Sequence, residues 1–369
     1  MSRQPSTGPA RTLVDFDWVL VALIALIATL GVIEIYSATL ATRWQDAHSR
    51  QLIWLSLGAV LFWVMSSIDY HWLVDQAAVF YGVAVALLIG VLLFTDPING
   101  SKRWIPLPGG LSLQVSEFVK VVLVLVVARF FSNFALRRIR FRDVLRGVAI
   151  FAVPVILVRS QPDLSTALSY TPLLGIGIFL SGVRWKHAAA AALAAVLVIP
   201  VGWWMLKPYQ QERITTFMSP ENDPQGAGYQ PLQAKIAVGA GGIWGQGFAR
   251  GTQTQLRFLP VPHTDFVFAA FAEESGFVGV FFAMALYFAL LMRIVHNAQT
   301  AADASGMLIA MSVAALLLFH LLVNVGMVAN KMPVTGIPLP LMSYGGSNTL
   351  AVLMLLGLVN NVRLRRFAN

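Results

Sequence analysis

An acidic residue, Asp265, stands where a proline-studded segment meets a long apolar run. The stretch FLPVPHTDFVFAAFAEESG spans residues 258–276. Basic residues precede the acid in the same polar segment: Lys207, Arg213, Lys235, Arg250 and Arg257. A carboxylate at a membrane surface with cations near it suits a general base that acts on a phosphorylated lipid carrier. The alternative is helix capping, because Asp or Thr just before a long apolar helix is a common start signal.

Two further acids and a lysine lie in or beside apolar runs, where charge is costly. Glu117 and Lys120 are three residues apart, so both fall on one helix face and can pair with each other. Such a pair fits self-neutralisation at a helix mouth as well as a functional role. Asp163 follows a proline at the start of another apolar run, which fits a buried functional acid or a helix N-terminus.

Other polar residues lie deeper in apolar runs or in a spacing that metal sites use. Glu34, Glu274 and His320 must face the interior of a helix bundle, and we expect His320 to be a packed, hydrogen-bonded residue. His263 and Asp265 are potential metal ligands two positions apart, but no nearby residue completes a zinc set. We therefore predict no metal site.

Composition identifies the class of protein in which these residues act. Hydrophobic residues make up 57% of the 369 residues and charged residues 12%, and the mean hydropathy is +0.71. These values indicate a polytopic membrane protein. The chain contains no cysteine, which excludes disulfides, thiol catalysis and Cys-based metal sites. Most of the charges behind the net +9 flank the apolar runs, so we expect no nucleic-acid partner.

Runs of about 20 apolar residues, the length that crosses about 30 Å of hydrocarbon, mark the candidate membrane spans. Ten occur, near residues 18–40, 51–68, 72–95, 116–134, 144–160, 164–182, 187–206, 266–293, 304–329 and 337–361. The excess of Lys and Arg in short loops places both termini on the cytoplasmic face. We therefore predict one all-α membrane domain over residues 1–369, with cytoplasmic tails at 1–17 and 362–369.

A long extracytoplasmic segment, residues 207–265, separates the seventh and eighth predicted spans. It holds eight glycines between Gly226 and Gly251, together with aromatic and aliphatic residues that can pack. Loops longer than about 15 residues are usually functional or disordered, and disorder predicts few bulky groups. We expect an ordered loop with re-entrant pieces, including a short amphipathic helix in LQAKIAVGAGG that lies on membrane lipids.

Four separated stretches resemble one known family. They are LQVSEFVK, QPDLSTAL, the run from GYQPLQAK through HTDFVFAAFAEESGFVG, and NVGMVANKMPVTGIPLPLMSYGGSN. Together they resemble the SEDS (shape, elongation, division and sporulation) proteins over about residues 18–362. GTQTQLRFLP before HTDF is more similar to the elongation branch, RodA, than to the division branch, FtsW. Asn330 and Asn348 depart from the usual pattern, which has Gly, Thr or Arg at the first position and Ser or Ala at the second.

The resemblance implies a peptidoglycan glycosyltransferase of the bacterial cytoplasmic membrane that polymerises lipid II into β-1,4-linked glycan strands. It also implies that Asp265 is the catalytic carboxylate, in a single inverting displacement with undecaprenyl diphosphate as the leaving group. Cations must hold that diphosphate, through Arg or Lys or through a divalent ion, Mg²⁺ or Mn²⁺, that bridges the phosphates. No soluble cofactor is implied.

The matching stretches also imply substrate-binding residues. Arg213 and Lys120 are the first choices for the diphosphate, and Glu117 would orient Lys120 or hold the acceptor sugar. Asp163, Lys235 and Ser343 complete the expected set. The segment PLPLMSYGGS breaks the entrance of the tenth span, and irregular backbone at membrane depth must be buried in protein or line a cavity. We therefore expect the substrate cavity between this segment, the fourth span and the Asp265 loop.

Two other classes of function compete with this interpretation. A lipid II flippase should show paired broken helices in inverted repeats, and only one broken segment is visible, at residues 336–346. A structural scaffold does not explain the glycine-rich loop. No Ser-x-x-Lys transpeptidase site resembles any part of this chain, so crosslinking needs another protein. The resemblance implies a class B penicillin-binding protein as that partner, with other rod-shape morphogenesis proteins nearby.

Overall fold

Helices make up most of the computed structural model, which describes residues 15–40, 42–97, 101–107, 111–134, 139–183, 204, 208–218, 223, 225–226 and 228–367. The α-helices are α1 Trp18–Thr39, α2 Ala47–Ser67, α3 Tyr70–Asp75, α4 Ala77–Phe94, α5 Val115–Phe131, α6 Phe141–Ser160, α7 Leu164–Ser169, α8 Thr171–Leu180, α9 Pro208–Met218, α10 Tyr229–Gly241, α11 Thr252–Gln255, α12 Val267–Gln299, α13 Ala304–Val328 and α14 Gly346–Leu364. A two-stranded antiparallel sheet, β1 Trp104–Leu107 and β2 Leu111–Gln114, pairs Trp104 with Gln114 just before α5. A 3-10 turn, Ser132–Phe134, follows α5.

Six helices in the described part of the chain are long and apolar enough to cross a membrane: α1, α2, α4, α12, α13 and α14. Nine of the ten predicted spans coincide with helical stretches, two of them split near Gln76 and Tyr170. The seventh, 187–206, lies outside the described residues apart from Trp204. The prediction of a multi-pass helical membrane protein is therefore confirmed at the level of six candidate spans.

The centre of the bundle is α14, which contacts α2, α5, α12 and α13. Its apolar residues from Leu355 to Val362 are almost entirely buried. Gly357 permits the close approach of α2, because a Cβ added there would lie 2.6 Å from the carbonyl oxygen of Phe62. Small residues at such crossings are typical of membrane helices, where close packing replaces the hydrophobic effect.

A network of charges centred on Asp17 joins three helix ends at one end of the bundle. The Asp17 carboxylate is fully buried and accepts hydrogen bonds from Arg293 Nε at 2.9 and 3.0 Å and from Asn297 Nδ2 at 2.7 Å. The Asp17 backbone N–H donates to Asn360 Oδ1 at 3.0 Å. Burial alone raises the pKa of Asp17, but these hydrogen bonds and the Arg293 charge outweigh it, so the net pKa is lowered. The N-terminus of α1 is thereby fixed to α12 and α14.

A break in α12 interrupts the longest helix of the protein. Gly276 has φ 62° and ψ −166°, a backbone conformation that is essentially restricted to glycine. In a continuous helix the carbonyls of Glu273 and Glu274 would accept hydrogen bonds from the N–H groups of Phe277 and Val278. The break therefore leaves four backbone groups that need other partners.

The loop at residues 242–247 supplies partners for all four of these groups. The hydrogen bonds run from Phe277 N to Gly242 O at 2.9 Å, from Val278 N to Ile243 O at 3.1 Å, from Gln246 N to Glu273 O at 3.0 Å, and from Gly247 N to Glu274 O at 3.0 Å. Because every freed group is paired, the break is tolerated beside an apolar span.

The side chain of Glu273 adds a second attachment between α12 and the loop that precedes it. It is fully buried and accepts hydrogen bonds from Gln253 N at 2.7 Å, Thr254 N at 3.1 Å and Thr254 Oγ1 at 2.8 Å. Glu34 and Glu274 are also buried, as predicted. The short first half of α12, which directly follows Asp265, is thus held in place at the end opposite Asp265.

Replacing Gly276 by alanine should destabilise this arrangement. The conformation costs a non-glycine residue about 1–3 kcal/mol, and the new Cβ would lie 2.2 Å from Gly245 N. We expect a clearly lower melting temperature for the purified protein in detergent.

Gly82→Ala is the matched control, because a Cβ at that position in α4 meets no atom within 4 Å. Alanine also favours a helix over glycine, so this variant should melt at or slightly above the wild-type temperature. Equal melting temperatures for the two variants would contradict the proposed role of the break.

Candidate functional site

A cavity of about 880 Å³ opens between the β1–β2 sheet, α5, α7, α9, the segment before α12 and the segment before α14. It lies where the sequence predicted the substrate cavity, and its size falls in the range of ligand pockets. Five of the seven predicted site residues line it: Glu117, Lys120, Asp163, Arg213 and Asp265. Residues up to 148 positions apart in sequence therefore share one space.

Asp265 does not cap α12, so the helix-capping alternative does not describe this site. The N-cap of α12 is Phe266, and no side chain makes a capping hydrogen bond there. The Asp265 carboxylate instead lines the cavity. Gly336 lies against it, because a Cβ added to that residue would be 3.4 Å from Asp265 Oδ2. The φ of Gly336 is 75°, which also favours glycine at that position.

Three consecutive backbone carbonyls, those of residues 263–265, hold this acid against the irregular segment before α14. Tyr344 N donates to the first at 2.9 Å, and Ser343 Oγ donates to the second at 2.7 Å. Asn324 Nδ2, on α13, donates to the Asp265 carbonyl at 3.1 Å and to Ile337 O at 2.9 Å. The position of Asp265 is therefore set by backbone contacts from two other segments.

Ser343 is not where the sequence led us to expect it. Its side chain is fully buried and does not line the cavity. Its hydroxyl donates to Thr264 O and accepts from Leu339 N at 2.8 Å, so both roles of that hydroxyl are taken by backbone. In this structure Ser343 positions the Asp265 segment and does not face a substrate.

The electrostatic environment of Asp265 raises its pKa. Burial has the largest effect and raises the pKa, while the charge of Arg213, a hydrogen bond from Thr264 and the charge of Arg103 lower it in part. Burial also lowers the pKa of the neighbouring His263 to about 4, so its ring is neutral at physiological pH. Asp265 thus has a neutral imidazole two residues before it in the chain and two guanidinium groups near enough to lower its pKa.

Glu117 and Lys120 form the buried pair that their spacing predicted. Lys120 Nζ lies 3.0 and 2.9 Å from the two carboxylate oxygens of Glu117, and 3.4 Å from His320 Nε2. The Glu117 carboxylate thus neutralises Lys120 in this conformation. A diphosphate would have to compete with Glu117 for the ammonium group of Lys120.

Asp163 caps α7, the alternative that its proline neighbour indicated. Its carboxylate accepts from Thr166 N at 3.2 Å and Thr166 Oγ1 at 2.8 Å. It also accepts from Gln114 Nε2 at 2.6 Å and lies 3.4 Å from Arg103 NH1. Asp163 therefore connects α7, β2 and Arg103 at the cavity wall.

Lys235 lies outside the cavity. It is exposed on α10 and is not among the lining residues. Lys207, which the sequence grouped with it, lies outside the described residues. Of the cations that the sequence placed around the acid, Arg213 lies at the cavity and Lys235 does not.

Sequence reasoning missed several residues of the cavity wall. They combine cationic and aromatic side chains: Trp44, Arg50, Trp54, Arg103, Trp104 and Tyr344. A signal for two of them was present, because Arg50 and Arg103 belong to predicted extracytoplasmic segments, where the positive-inside rule leads one to expect few cations. Cations in those segments were therefore a signal that the sequence analysis did not use.

Comparison with known proteins gives a consistent result. The FtsW/RodA/SpoVE family model, described as cell cycle protein, matches residues 17–367. The chain is similar to the peptidoglycan glycosyltransferase MrdB of Escherichia coli K12, with 37% identity over 327 residues that cover 86% of this chain and 85% of MrdB. It is also similar to the peptidoglycan glycosyltransferase RodA of Treponema pallidum, with 30% identity over 427 residues, 95% of this chain and 98% of that protein.

Solved structures show the same likeness in three dimensions. A chain from a peptidoglycan synthase complex, described by its coordination of polymerization and crosslinking, superposes with a TM-score of 0.82 at 33% identity, covering 96% of this chain and 99% of that chain. The rod shape determining protein RodA of Thermus thermophilus superposes with a TM-score of 0.72 at 30% identity, covering 96% and 98%.

Removing one partner of the buried Glu117–Lys120 pair should destabilise the protein more than removing both. A single change, Glu117→Gln or Lys120→Met, leaves a buried charge unpaired, which typically costs about 3–5 kcal/mol. The double variant leaves neither charge and should recover most of the lost melting temperature in detergent. If the double variant melts no higher than the less stable single variant, the two side chains do not act as a buried ion pair.

Proposed function

The chain belongs to the FtsW/RodA/SpoVE family, and we infer from this membership that it is a peptidoglycan glycosyltransferase of cell elongation that polymerises lipid II. Its relatives carry that activity in their names, which favours an enzyme over a flippase. We further propose that Asp265 is the catalytic base. The observation that carries this proposal is its carboxylate, which caps no helix and lines a large cavity near two arginines.

The chemistry needs one base. The 4-hydroxyl of the acceptor GlcNAc attacks the anomeric carbon of the donor MurNAc, and an α-linked diphosphate becomes a β-1,4 bond. Such an inversion follows from a single displacement. Asp265 takes the hydroxyl proton as the new C–O bond forms, and undecaprenyl diphosphate departs with the electron pair of the broken bond. A raised pKa makes this carboxylate a stronger base than an ordinary Asp.

Arg213 and Arg103 are the cations that we propose for the diphosphate. Both line the cavity, and both lie close enough to Asp265 for their charges to lower its pKa. Guanidinium groups match phosphate oxygens with paired N–H donors. We propose that Glu117 and Lys120, which belong to the same wall, also bind substrate. The substrate then replaces one of the contacts between these two side chains.

A divalent cation, Mg²⁺ or Mn²⁺, is a further proposal for the diphosphate. In the described part of the chain, no three His, Asp or Glu side chains are grouped as a metal site. The protein residues therefore do not form a site of their own for such an ion.

For the membrane topology we propose ten spans, with residues 1–17 and 362–369 cytoplasmic and residues 207–265 outside. Support comes from the Asp17 network, which brings Arg293 and Arg363 to the same end of the bundle as the start of α1. An accumulation of arginines at one end fits the cytoplasmic face. The cavity and Asp265 would then open to the extracytoplasmic side of the bacterial cytoplasmic membrane.

For partners we propose a class B penicillin-binding protein that crosslinks the product, together with other rod-shape morphogenesis proteins. The structural neighbour from a synthase complex that couples polymerization with crosslinking supports the first of these. The polymerase itself would supply uncrosslinked strands.

Asp265→Asn should abolish polymerisation. The change keeps the size of the side chain and removes the base, which is worth about 10²- to 10⁴-fold in rate. The measurement is glycan product from lipid II, using purified protein with its transpeptidase partner. Asp96→Asn, an exposed residue outside the cavity, is the matched control and should retain wild-type activity. Full activity of Asp265→Asn would remove Asp265 from the mechanism.

The pH dependence of polymerisation should report the pKa of Asp265. The base works only when ionised, so the rate should fall as pH decreases through a pKa that lies above the ordinary value for Asp. Arg213→Met removes a charge that lowers this pKa, so the acid limb of the pH–rate profile should move to higher pH. Arg250→Met changes an exposed arginine outside the cavity and should leave the profile in place. A shift to lower pH in Arg213→Met would contradict the assignment.

A further inference from the structure

The start of α14 forms part of the cavity wall. Gly345, Gly346, Ser347 and Asn348 all line the cavity, at the N-terminus of a 19-residue helix. The N–H groups in the first turn of a helix have no partner within that helix, and the helix dipole adds a partial positive charge there. The Gly345 N–H donates to Gln51 Oε1 at 3.3 Å, and in the described part of the chain no side chain caps the N–H groups of Gly346, Ser347 or Asn348. It is thus a helix terminus left open towards the cavity.

Asn348 is the second observation that points to a ligand at this place. Only 5% of the residue is exposed, and neither its Nδ2 nor its Oδ1 has a hydrogen-bond partner among the described residues. A buried polar group without a partner costs about 1–3 kcal/mol. Asn348 is among the residues that line the same cavity as the helix start. A ligand that accepts hydrogen bonds would satisfy its donor.

The two glycines at the start of α14 have different surroundings. A Cβ on Gly346 would lie 2.4 to 2.7 Å from ring atoms of Trp54, so only glycine fits. A Cβ on Gly345 would meet only Asn348 Cβ, at 3.8 Å. The Trp54 ring therefore covers one side of the helix start, and room for a ligand such as a phosphate remains on the Gly345 side.

A chain of hydrogen bonds links this helix start to a cation. Gln114 N donates to Ser347 Oγ at 2.8 Å, and Gln114 Nε2 donates to Asp163, which pairs with Arg103. Arg103 Nε is buried and has no partner in the described part of the chain. Donors without partners therefore occur on this wall at Asn348 and at Arg103, and the Asp163 carboxylate offsets the charge of Arg103. An anion with several acceptor oxygens fits this wall best.

We propose that the first turn of α14, with Asn348 and Arg103, binds the diphosphate of the lipid-linked donor. The proposal rests on the glycosyltransferase function and adds the place where the leaving group is held. As the bond between the anomeric carbon and the phosphate oxygen breaks, its electron pair goes to that oxygen. Fixed N–H donors stabilise the charge that develops there. The proton from the acceptor goes to Asp265, so the base and the leaving-group site are separate.

Inorganic pyrophosphate is the probe for this site, because it carries the same charged group without sugar or lipid. The measurement is the rise in melting temperature that pyrophosphate produces in the purified protein with its partner, at low salt and with chelator present. Sulfate at equal ionic strength controls for non-specific binding, and N-acetylglucosamine tests for a sugar amide instead. The variants are Asn348→Asp, Asn348→Ser, which keeps a smaller donor, and Asn133→Asp, an exposed matched control.

We expect Asn348→Asp to weaken pyrophosphate binding roughly 10- to 100-fold, the factor carried by one hydrogen bond to a charged group. Asn348→Ser should weaken it less, and Asn133→Asp should not change it. The KM for lipid II should rise most in Asn348→Asp, less in Asn348→Ser and not at all in Asn133→Asp. Equal pyrophosphate binding by wild type and Asn348→Asp, no specific binding by wild type, or an Asn348-dependent shift with N-acetylglucosamine alone would each overturn the proposal.

The melting experiment needs no turnover, so it separates this proposal from the proposed function. If wild type shows Asn348-dependent pyrophosphate binding but forms no glycan, the anion site stands and the polymerase function fails. If wild type polymerises lipid II but pyrophosphate binding ignores Asn348, the function stands and the site is wrong.

Discussion

A backbone N–H or C=O group without a partner is very costly in hydrocarbon, and this constraint decides where the chain can leave the helix. The protein departs from regular helix at Gly276 in α12 and in the segment before α14. At the first place a single loop replaces the four missing helix contacts. At the second, side chains and backbone from α13 and the Asp265 segment take up the free groups. The irregular backbone that chemistry needs is thus available only where other segments complete it.

The same pairing makes the site rigid. The carbonyls of residues 263–265 are held by Tyr344, Ser343 and Asn324, and the far end of the half-helix that follows is held through Glu273. A general base must stay within hydrogen-bond reach of one proton. The contacts that satisfy the backbone therefore also fix the point from which the Asp265 side chain extends, although none of them involves its carboxylate.

Buried charges need partners as well, and this requirement governs the charged residues of the cavity. Lys120 is neutralised by Glu117 and also contacts His320, and Asp163 is satisfied by Thr166, Gln114 and Arg103. Asp265 has weaker compensation, because burial raises its pKa more than Arg213 and Arg103 lower it.

The sequence alone determined the class of protein, the approximate helices and the Glu117–Lys120 pair, because these depend on composition and on local spacing along a helix. For Asp163 and Asp265 the sequence left two interpretations open, helix capping and a functional role. Tertiary structure separated the two residues, since only the path of the chain shows that Asp163 caps α7 and that Phe266, not Asp265, is the N-cap of α12. It also shows that the Ser343 hydroxyl binds backbone groups outside the cavity, and that Arg103 and Asn348 belong to the cavity wall. These outcomes depend on contacts between residues far apart in sequence, and spacing along one helix carries no information about them.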